Sequence, residues 1–254
     1  MKRIKINKDK YINIDNKITS YLNPDNIYIP INNKKILKSI NDKVYKGDEV
    51  LEGIYSPISG KVSKITADTL IIANDFRELN KNNNSKIEIT SENILKVFEN
   101  NQEKELLAKF NNKTSFDNII INCINDNPYV YNKIFLLREN IKVILEVINK
   151  LSTIYNCKNN LLVIKNDESS LIDECFNIID VYPNIKIALT SDEYLLEREE
   201  YLLEKLNIKK NYLYLDVEKI IHIYNLFNNQ FEDTKLITIS GNALKENKVL
   251  MVKK

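Results

Sequence analysis

Glycine is the residue this chain most clearly lacks. Four occur in 254 residues, where average usage near 7% gives about eighteen. A backbone cradle for phosphate needs residues without a Cβ and a row of inward N–H groups, so most of this chain cannot build one. Histidine is nearly absent too. His222 stands alone in the apolar stretch IIHIYNLF, where it reads as a packed helix residue rather than a general base. Cys123, Cys157 and Cys175 are widely separated and form no C-x-x-C, so neither a zinc site nor an iron–sulfur cluster is expected. No apolar run has the length needed to cross a bilayer, and the charged start MKRIKINKDK is not followed by a signal-peptide core. The expected location is the cytoplasm, with membrane association only through a partner complex. The net charge of +2, with acids and bases interleaved, provides no field for nucleic acid.

Asparagine and lysine are what the chain has in excess. There are 38 asparagines, and Arg3, Arg77, Arg138 and Arg198 are the only arginines. Lys, Asn and Ile are the residues of AT-rich codons, and a bacterium with an AT-rich genome accounts for the bias without a functional reason.

The texture changes along the chain. Up to residue 78, short alternating stretches such as YINI, IYIPI, KVSKI and TLIIA are punctuated by turn signals at Asn23-Pro24-Asp25, Lys46-Gly47-Asp48 and Ser56-Pro57. This predicts a small all-β module over 1–78. The polar loop NKNNNSK, Asn80 to Lys86, marks the boundary. From 79 to 254, helix-length segments alternate with apolar runs. SENILKVFENN, EKELLAKF and ENIKVILEVINKL read as helices. DNIIINC, NLLVIKN, NIKIALT, NYLYLD and KLITIS read as strands covered on both faces. SSLIDECFNIID, SDEYLLEREEYLLEKL and VEKIIHIYNLFNNQ are helices between them, the middle one preceded by a capping box at Thr190-Ser191-Asp192-Glu193. Alternation of this kind predicts an α/β domain with a mostly parallel sheet.

Three of the four glycines fall in YKGDEVLEGIYSPISGKVSKI, residues 45–65. Gly47, Gly53 and Gly60 are each expected at positive φ in turns between short strands. Gly47-Asp48 through Gly53, followed by Ser56-Pro57 and Gly60-Lys61-Val62, resembles the barrel-sandwich hybrid of biotinyl and lipoyl carrier domains. Only Ile54 and Tyr55 separate Gly53 from Ser56, so the hairpin that would carry a modified lysine is missing. Lys61 falls in the strand after the turn, which argues against a swinging-arm carrier.

The wider pattern resembles the RnfC-like family of the Rnf electron-transport complex, including proline-reductase-associated electron-transfer proteins. That resemblance implies a barrel-sandwich module followed by an α/β domain like the flavin- and NADH-binding domain of the complex I flavoprotein. It rests on Ile121-Asn122, Asn125 to Tyr129, Leu136 to Glu139, Tyr194 to Glu199 and Thr238 to Gly241, with each of the four glycines on a family glycine. Family members place glutamates where this chain has Asn125 and Asn127, an aspartate where it has Lys133 and an arginine where it has Phe135. Their glycine-rich cofactor loop corresponds to KELLAKFNNKTSF, Lys104 to Phe116, which has no glycine. The family's paired C-x-x-C-x-x-C cluster motifs are also missing.

The resemblance therefore implies a shortened, degenerate member in which FMN, NADH and iron–sulfur binding are lost. Its expected role is to dock a protein partner in an electron-transfer or amino-acid-reductase system. Structural roles are expected for Gly47, Asp48, Gly53, Pro57, Gly60, Pro128, Tyr129 and Gly241, with Pro128-Tyr129 shaping the turn from strand to helix. Glu139 reads as a solvated first-turn residue, and the Glu197 to Glu200 run EREE as an exposed charged face. Two alternatives stay open. One is a flavin-dependent, NADH-linked electron-transfer protein with an altered cofactor site. The other is a repurposed small-molecule or peptide-binding module whose pocket is lined by Asn122 to Tyr131.

Overall fold

The computed structural model describes residues 14–20, 24–80, 86–125, 127, 129–166, 168–191, 195–241 and 243–253. It is mixed α/β with several sheets. The strands and helices of the first half are β1 (Ile14–Ser20), β2 (Asn26–Pro30), β3 (Lys43–Val44), β4 (Glu49–Leu51), β5 (Ile54–Tyr55), β6 (Gly60–Ile65), β7 (Thr69–Asn74), α1 (Ile94–Asn100), α2 (Lys104–Phe110) and β8 (Asn118–Asn122). Then follow α3 (Asn132–Ile154), β9 (Asn159–Lys165), α4 (Ser169–Ile179), β10 (Ile185–Thr190), α5 (Glu199–Lys205), β11 (Tyr212–Asp216), α6 (Val217–Phe227), β12 (Thr234–Ile239) and β13 (Asn247–Lys253).

The chain forms two compact units. One contains the described residues of 86–228 and 238–249 together with 14–18; the other contains those of 19–80, 229–237 and 250–253. The sequence places a single boundary between 78 and 79, whereas the β-rich unit also takes in two late segments. Ion pairing explains their recruitment. Asp233 binds Lys46 at 2.7 Å and Lys253 at 2.8 Å, while Lys253 also binds Glu78 at 2.9 Å.

In the β-rich unit, an antiparallel sheet of order β2-β7-β6-β3 accompanies a β4-β5 hairpin. Alternation does the sorting. Leu70 and Ile72 of β7 and Val62 of β6 are fully buried with Val44, Val50, Leu51 and Ile58, while Lys61 and Ser63 of β6 are exposed and Ile71 of β7 is half-buried. Asp48 is buried and accepts hydrogen bonds from the Tyr45 amide and the Lys38 ammonium, each at 3.1 Å. Pro57 is buried in the bend that follows β5.

Gly47 and Gly53 have φ of +83° and +68°, and the Phe231 ring lies 3.5 Å from where a Gly47 Cβ would stand. Gly60 departs from expectation. Its φ is not positive; a Cβ there would stand 1.9 Å from the Ala73 carbonyl oxygen. Close approach of β6 to β7, rather than turn geometry, is what requires glycine at that position.

In the α/β unit, β10-β9-β8-β11 form an all-parallel sheet. The three isoleucines of β8 show why the run is continuous. Ile119 and Ile121 pack with α3 and α6 residues in one core, and Ile120 packs with Val163, Leu202 and Leu203 in another, so both faces are covered. Each such side chain contributes about 1.5–3 kcal/mol on burial. Helix α3 buries Leu137, Ile144, Leu145, Ile148 and Leu151 at helical spacing and bends at Asn140, whose φ is −123° and whose side chain binds the Leu136 carbonyl at 3.0 Å.

Three segments differ from the sequence reading. NIKIALT, expected to be covered on both faces, is the edge strand β10, with Lys186 exposed and Leu189 49% exposed. KLITIS is strand β12 but is only half-covered, and it belongs to a separate three-stranded sheet, β1-β13-β12. Its apolar run has the same local appearance as β8, and burial on both faces depends on neighbours that β12 does not have. The expected SDEYLLEREEYLLEKL helix begins only at Glu199, because Leu195 has φ +78° and Leu196 turns into the core. Tyr194 and the capping-box residues Asp192 and Glu193 lie outside the described residues.

Asparagine has a structural use that codon bias does not express. Among the described residues, eight of the twelve non-glycine positions with positive φ are asparagine, the side chain that tolerates left-handed backbone best after glycine. Asn156 and Asn207 end α3 and α5 in this conformation. Asn156 N–H bonds Thr153 O and Cys157 N–H bonds Ser152 O, while Asn207 N–H bonds Glu204 O and Ile208 N–H bonds Leu203 O, the paired bonds that close a helix C-terminus.

Candidate functional site

In the order β10-β9-β8-β11, chain progression reverses direction between β8 and β11, so a crevice is expected beyond their C-terminal ends. Asn122 ends β8 and pairs in register with Asp216, which ends β11. Asn122 is fully buried. Its Nδ2 donates toward the Leu196 and Glu197 carbonyls at 3.1 and 3.2 Å and toward the Tyr214 hydroxyl at 2.8 Å; its Oδ1 accepts from the Ile124 amide at 2.9 Å. The Tyr214 hydroxyl donates to the Glu197 carbonyl at 2.8 Å, and burial pushes its phenol up to about 12. The turn before α5 is thus tied down across the end of the sheet, with its buried amide satisfied.

Lys133 and Asn125 meet at the start of α3. Asn125, itself buried, accepts from the Lys133 amide at 3.2 Å. The Lys133 side chain is 8% exposed, and its ammonium donates to the Glu197 carboxylate. Glu197 is therefore half-buried and engaged, not part of an exposed charged face. The EREE pattern concealed this, because only the turn at Leu195 aims Glu197 inward. Asn127 is exposed and instead accepts from the Tyr129 amide at 3.0 Å. Tyr129 is 38% exposed; its carbonyl accepts from Ser240 at 2.9 Å. Thr238 accepts from the Tyr131 amide at 3.0 Å and donates to Asn132 at 2.8 Å. Gly241 N–H donates to Asn247 at 2.9 Å. Of the segments carrying the family resemblance, Tyr129 thus meets 238–241 through Ser240, and Thr238 meets the nearby Tyr131 and Asn132. Pro128 lies outside the described residues. Glu139 is exposed but sits in the second turn of α3, beyond the first-turn position expected of it. Phe135 is buried.

The segment from Lys104 to Phe116, where the resemblance would place a phosphate-binding loop, is occupied by a helix and core aromatics. Leu106 and Phe110 of α2 are fully buried and Phe116 nearly so. Phe110 lies 5.3 Å from Phe98, 6.3 Å from Phe116 and 5.6 Å from Tyr155 between ring centroids. The amide of Phe116 bonds Tyr155 O at 3.2 Å. Outside the core, Glu105 pairs with Lys219 at 2.7 Å and Glu103 with His222 at 2.8 Å, which places the lone histidine in a helix-to-helix contact.

No nucleophile is prepared among the thiols. Burial pushes Cys123 far above the usual thiol range and Cys175 up to about 12, and it also raises Cys157, so none is a thiolate near neutrality. Among the described residues, no three His, Cys, Asp or Glu side chains group as metal ligands, and no helix is long and apolar enough to cross a membrane. A surface groove of about 650 Å³ is lined by Glu199, Glu200, Leu203, Glu204, Ile208 and Tyr212, among others. Its three glutamates outnumber the one lysine of the lining, Lys209, which disfavours an anionic phosphate.

No family profile matches the sequence, and no curated protein sequence matches it. Among solved structures, the chain is similar to a chain of the NAD+-reducing [NiFe]-hydrogenase in the H2-reduced state, with TM-score 0.51 and 13% identity over 64% of this chain and 37% of that one. The air-oxidized state of that enzyme aligns with TM-score 0.49 and 11% identity over 64% of this chain and 36% of that one. This chain spans little more than a third of the length of the chains it matches. At such identity the likeness is one of fold: the α/β architecture is shared with a chain of an NAD+-reducing hydrogenase.

Proposed function

We propose that this protein is a reduced relative of the RnfC-like family, with its β-rich unit a barrel-sandwich hybrid. It docks a protein partner in an electron-transfer or amino-acid-reductase system and performs no flavin or NADH chemistry itself. One observation carries the reading: Phe110 and Phe116 fill the core across the segment where a glycine loop would hold cofactor phosphate. The likeness to a hydrogenase chain at TM-score 0.51 supports the electron-transfer setting. At the crevice end of β8, Lys133 stands where the resemblance places an aspartate and is engaged with Glu197, which supports the loss of cofactor chemistry. An active cofactor site would need open backbone amides, and the Phe116 amide is engaged with Tyr155.

The test is a titration of the full chain with flavin mononucleotide followed by NADH. No stoichiometric yellow complex and no bleaching on NADH addition are expected. A one-to-one flavin complex that NADH reduces would overturn the reading in favour of an altered but working cofactor site.

A further inference from the structure

In the β-rich unit, the stretch from Lys34 to Lys38 runs beside β4. Leu37 N–H donates to the Val50 carbonyl at 3.0 Å, and Glu52 N–H donates to the Lys35 carbonyl at 3.0 Å, framing an antiparallel bridge between Ile36 and Leu51. Bonds placed one residue either side of Ile36 turn its own N–H and C=O outward. Among the described residues, nothing pairs with them. The stretch is an open sheet edge.

Ile36, Leu37 and Ile40 are 37%, 42% and 52% exposed, interleaved with lysines that repel a like-charged edge and leave the apolar positions open to an acidic one. Between 31 and 43 stand Lys34, Lys35, Lys38 and Lys43 against one acid, Asp42. The Asp42 carboxylate is engaged by the Ser39 amide at 2.7 Å, and Lys38 pairs with Asp48 at 3.1 Å. Lys34 and Lys35 remain exposed on either side of the open backbone.

From this edge we infer that the chain binds an extended, acidic segment of a partner protein by strand addition along Lys34–Lys38. The incoming main chain bonds the outward N–H and C=O of Ile36. Consecutive residues face opposite sides of the strand, so Lys34 shares a face with Ile36 and Lys35 with Leu37; on each face a carboxylate of the added strand meets the lysine and an apolar side chain covers its neighbour. A second copy of this chain is disfavoured, since equivalent edges would oppose lysine to lysine. The inference rests on the docking reading above and names the surface that does the docking.

The probe is a displayed library of random peptides selected on the immobilised full chain. Selected peptides are expected to carry two adjacent Asp or Glu beside two adjacent apolar residues and to protect the Ile36 amide from hydrogen exchange. They should bind Ile36→Pro and the double variant K34E/K35E about tenfold or more weakly than the parent, and more weakly as salt rises. Ile36→Pro removes the outward N–H while keeping both bonds that frame the bridge, and it also replaces the isoleucine side chain. The charge reversal leaves the backbone untouched at two exposed positions, so it keeps the test decisive if the proline variant fails to fold. Peptides without acidic bias, or ones that bind both variants like the parent, overturn the inference. So does a dimer in sedimentation that Ile36→Pro abolishes, or sedimentation with phosphatidylserine vesicles that K34E/K35E abolishes. Flavin binding would defeat the non-catalytic reading without altering any of these outcomes.

Discussion

Lys133, on the first turn of α3, donates to the carboxylate of Glu197, which lies in the turn leading to α5. The pair joins two elements that flank the C-terminal end of the parallel sheet, and the adjacent backbone of the same turn is gripped by Asn122. Because the Glu197 side chain is 39% exposed, solvent screens the pair on one side. Glu197→Gln is expected to cost about 1 kcal/mol of stability. In a double-mutant cycle with Lys133→Met, a coupling energy of similar size should appear in denaturant unfolding. A coupling of zero would mean that the turn is held by Asn122 and Tyr214 without help from the ion pair.

Phe110 sits inside the aromatic group of Phe98, Phe116 and Tyr155. Truncating it to alanine leaves a cavity the helix cannot collapse, at a cost of about 3–5 kcal/mol. Calorimetry or guanidinium unfolding measures this. A loss under about 1 kcal/mol would show that α2 is peripheral, and that the cofactor segment could open.

Asn156 and Asn207 hold left-handed backbone at the ends of α3 and α5, with φ of +55° at both. Asn→Ala at either site is expected to lower stability by about 1 kcal/mol. Asn→Gly should be neutral or stabilising by about 0.5 kcal/mol, because glycine adopts this conformation without strain. Melting temperatures of the four variants decide it; equal effects of Ala and Gly would remove backbone conformation as the cause.

Glu78 and Lys253 make the β-rich unit sensitive to both extremes of pH. Burial pulls the Glu78 carboxyl up, but hydrogen bonds from Lys253 and Lys46 pull it down further, leaving it below its ordinary 4.5. Its contribution is therefore complete above that value and is lost as pH falls through the folded-state value. Burial pulls the Lys253 ammonium down, but bonds to Asp233 and Glu78 raise it above its ordinary 10.5. Its contribution is complete below that value and is lost as pH rises through the folded-state value. Circular dichroism melts should be flat through neutrality and fall at both ends. In Lys253→Met the alkaline fall should weaken.

Much of the architecture was written locally. The continuous isoleucines of β8, the helical spacing along α3 and the alternation in β7 each encode, within a few residues, which faces are covered. Gly47 and Gly53 declared their turns because positive φ is a property of one residue and its neighbours. That 104–116 contains no glycine is likewise read directly from the sequence. Tertiary structure decided the rest. Gly60 is required by the Ala73 carbonyl of another strand, and Glu197 acquires its role from a lysine sixty-four residues away in sequence. Segments 229–237 and 250–253 join the β-rich unit through Asp233 and Lys253. Each of these depends on which distant groups the fold brings within a few ångströms. Short-range periodicity carries no information about such pairings, because ion pairs and close strand approaches are specified by the partner as much as by the residue itself.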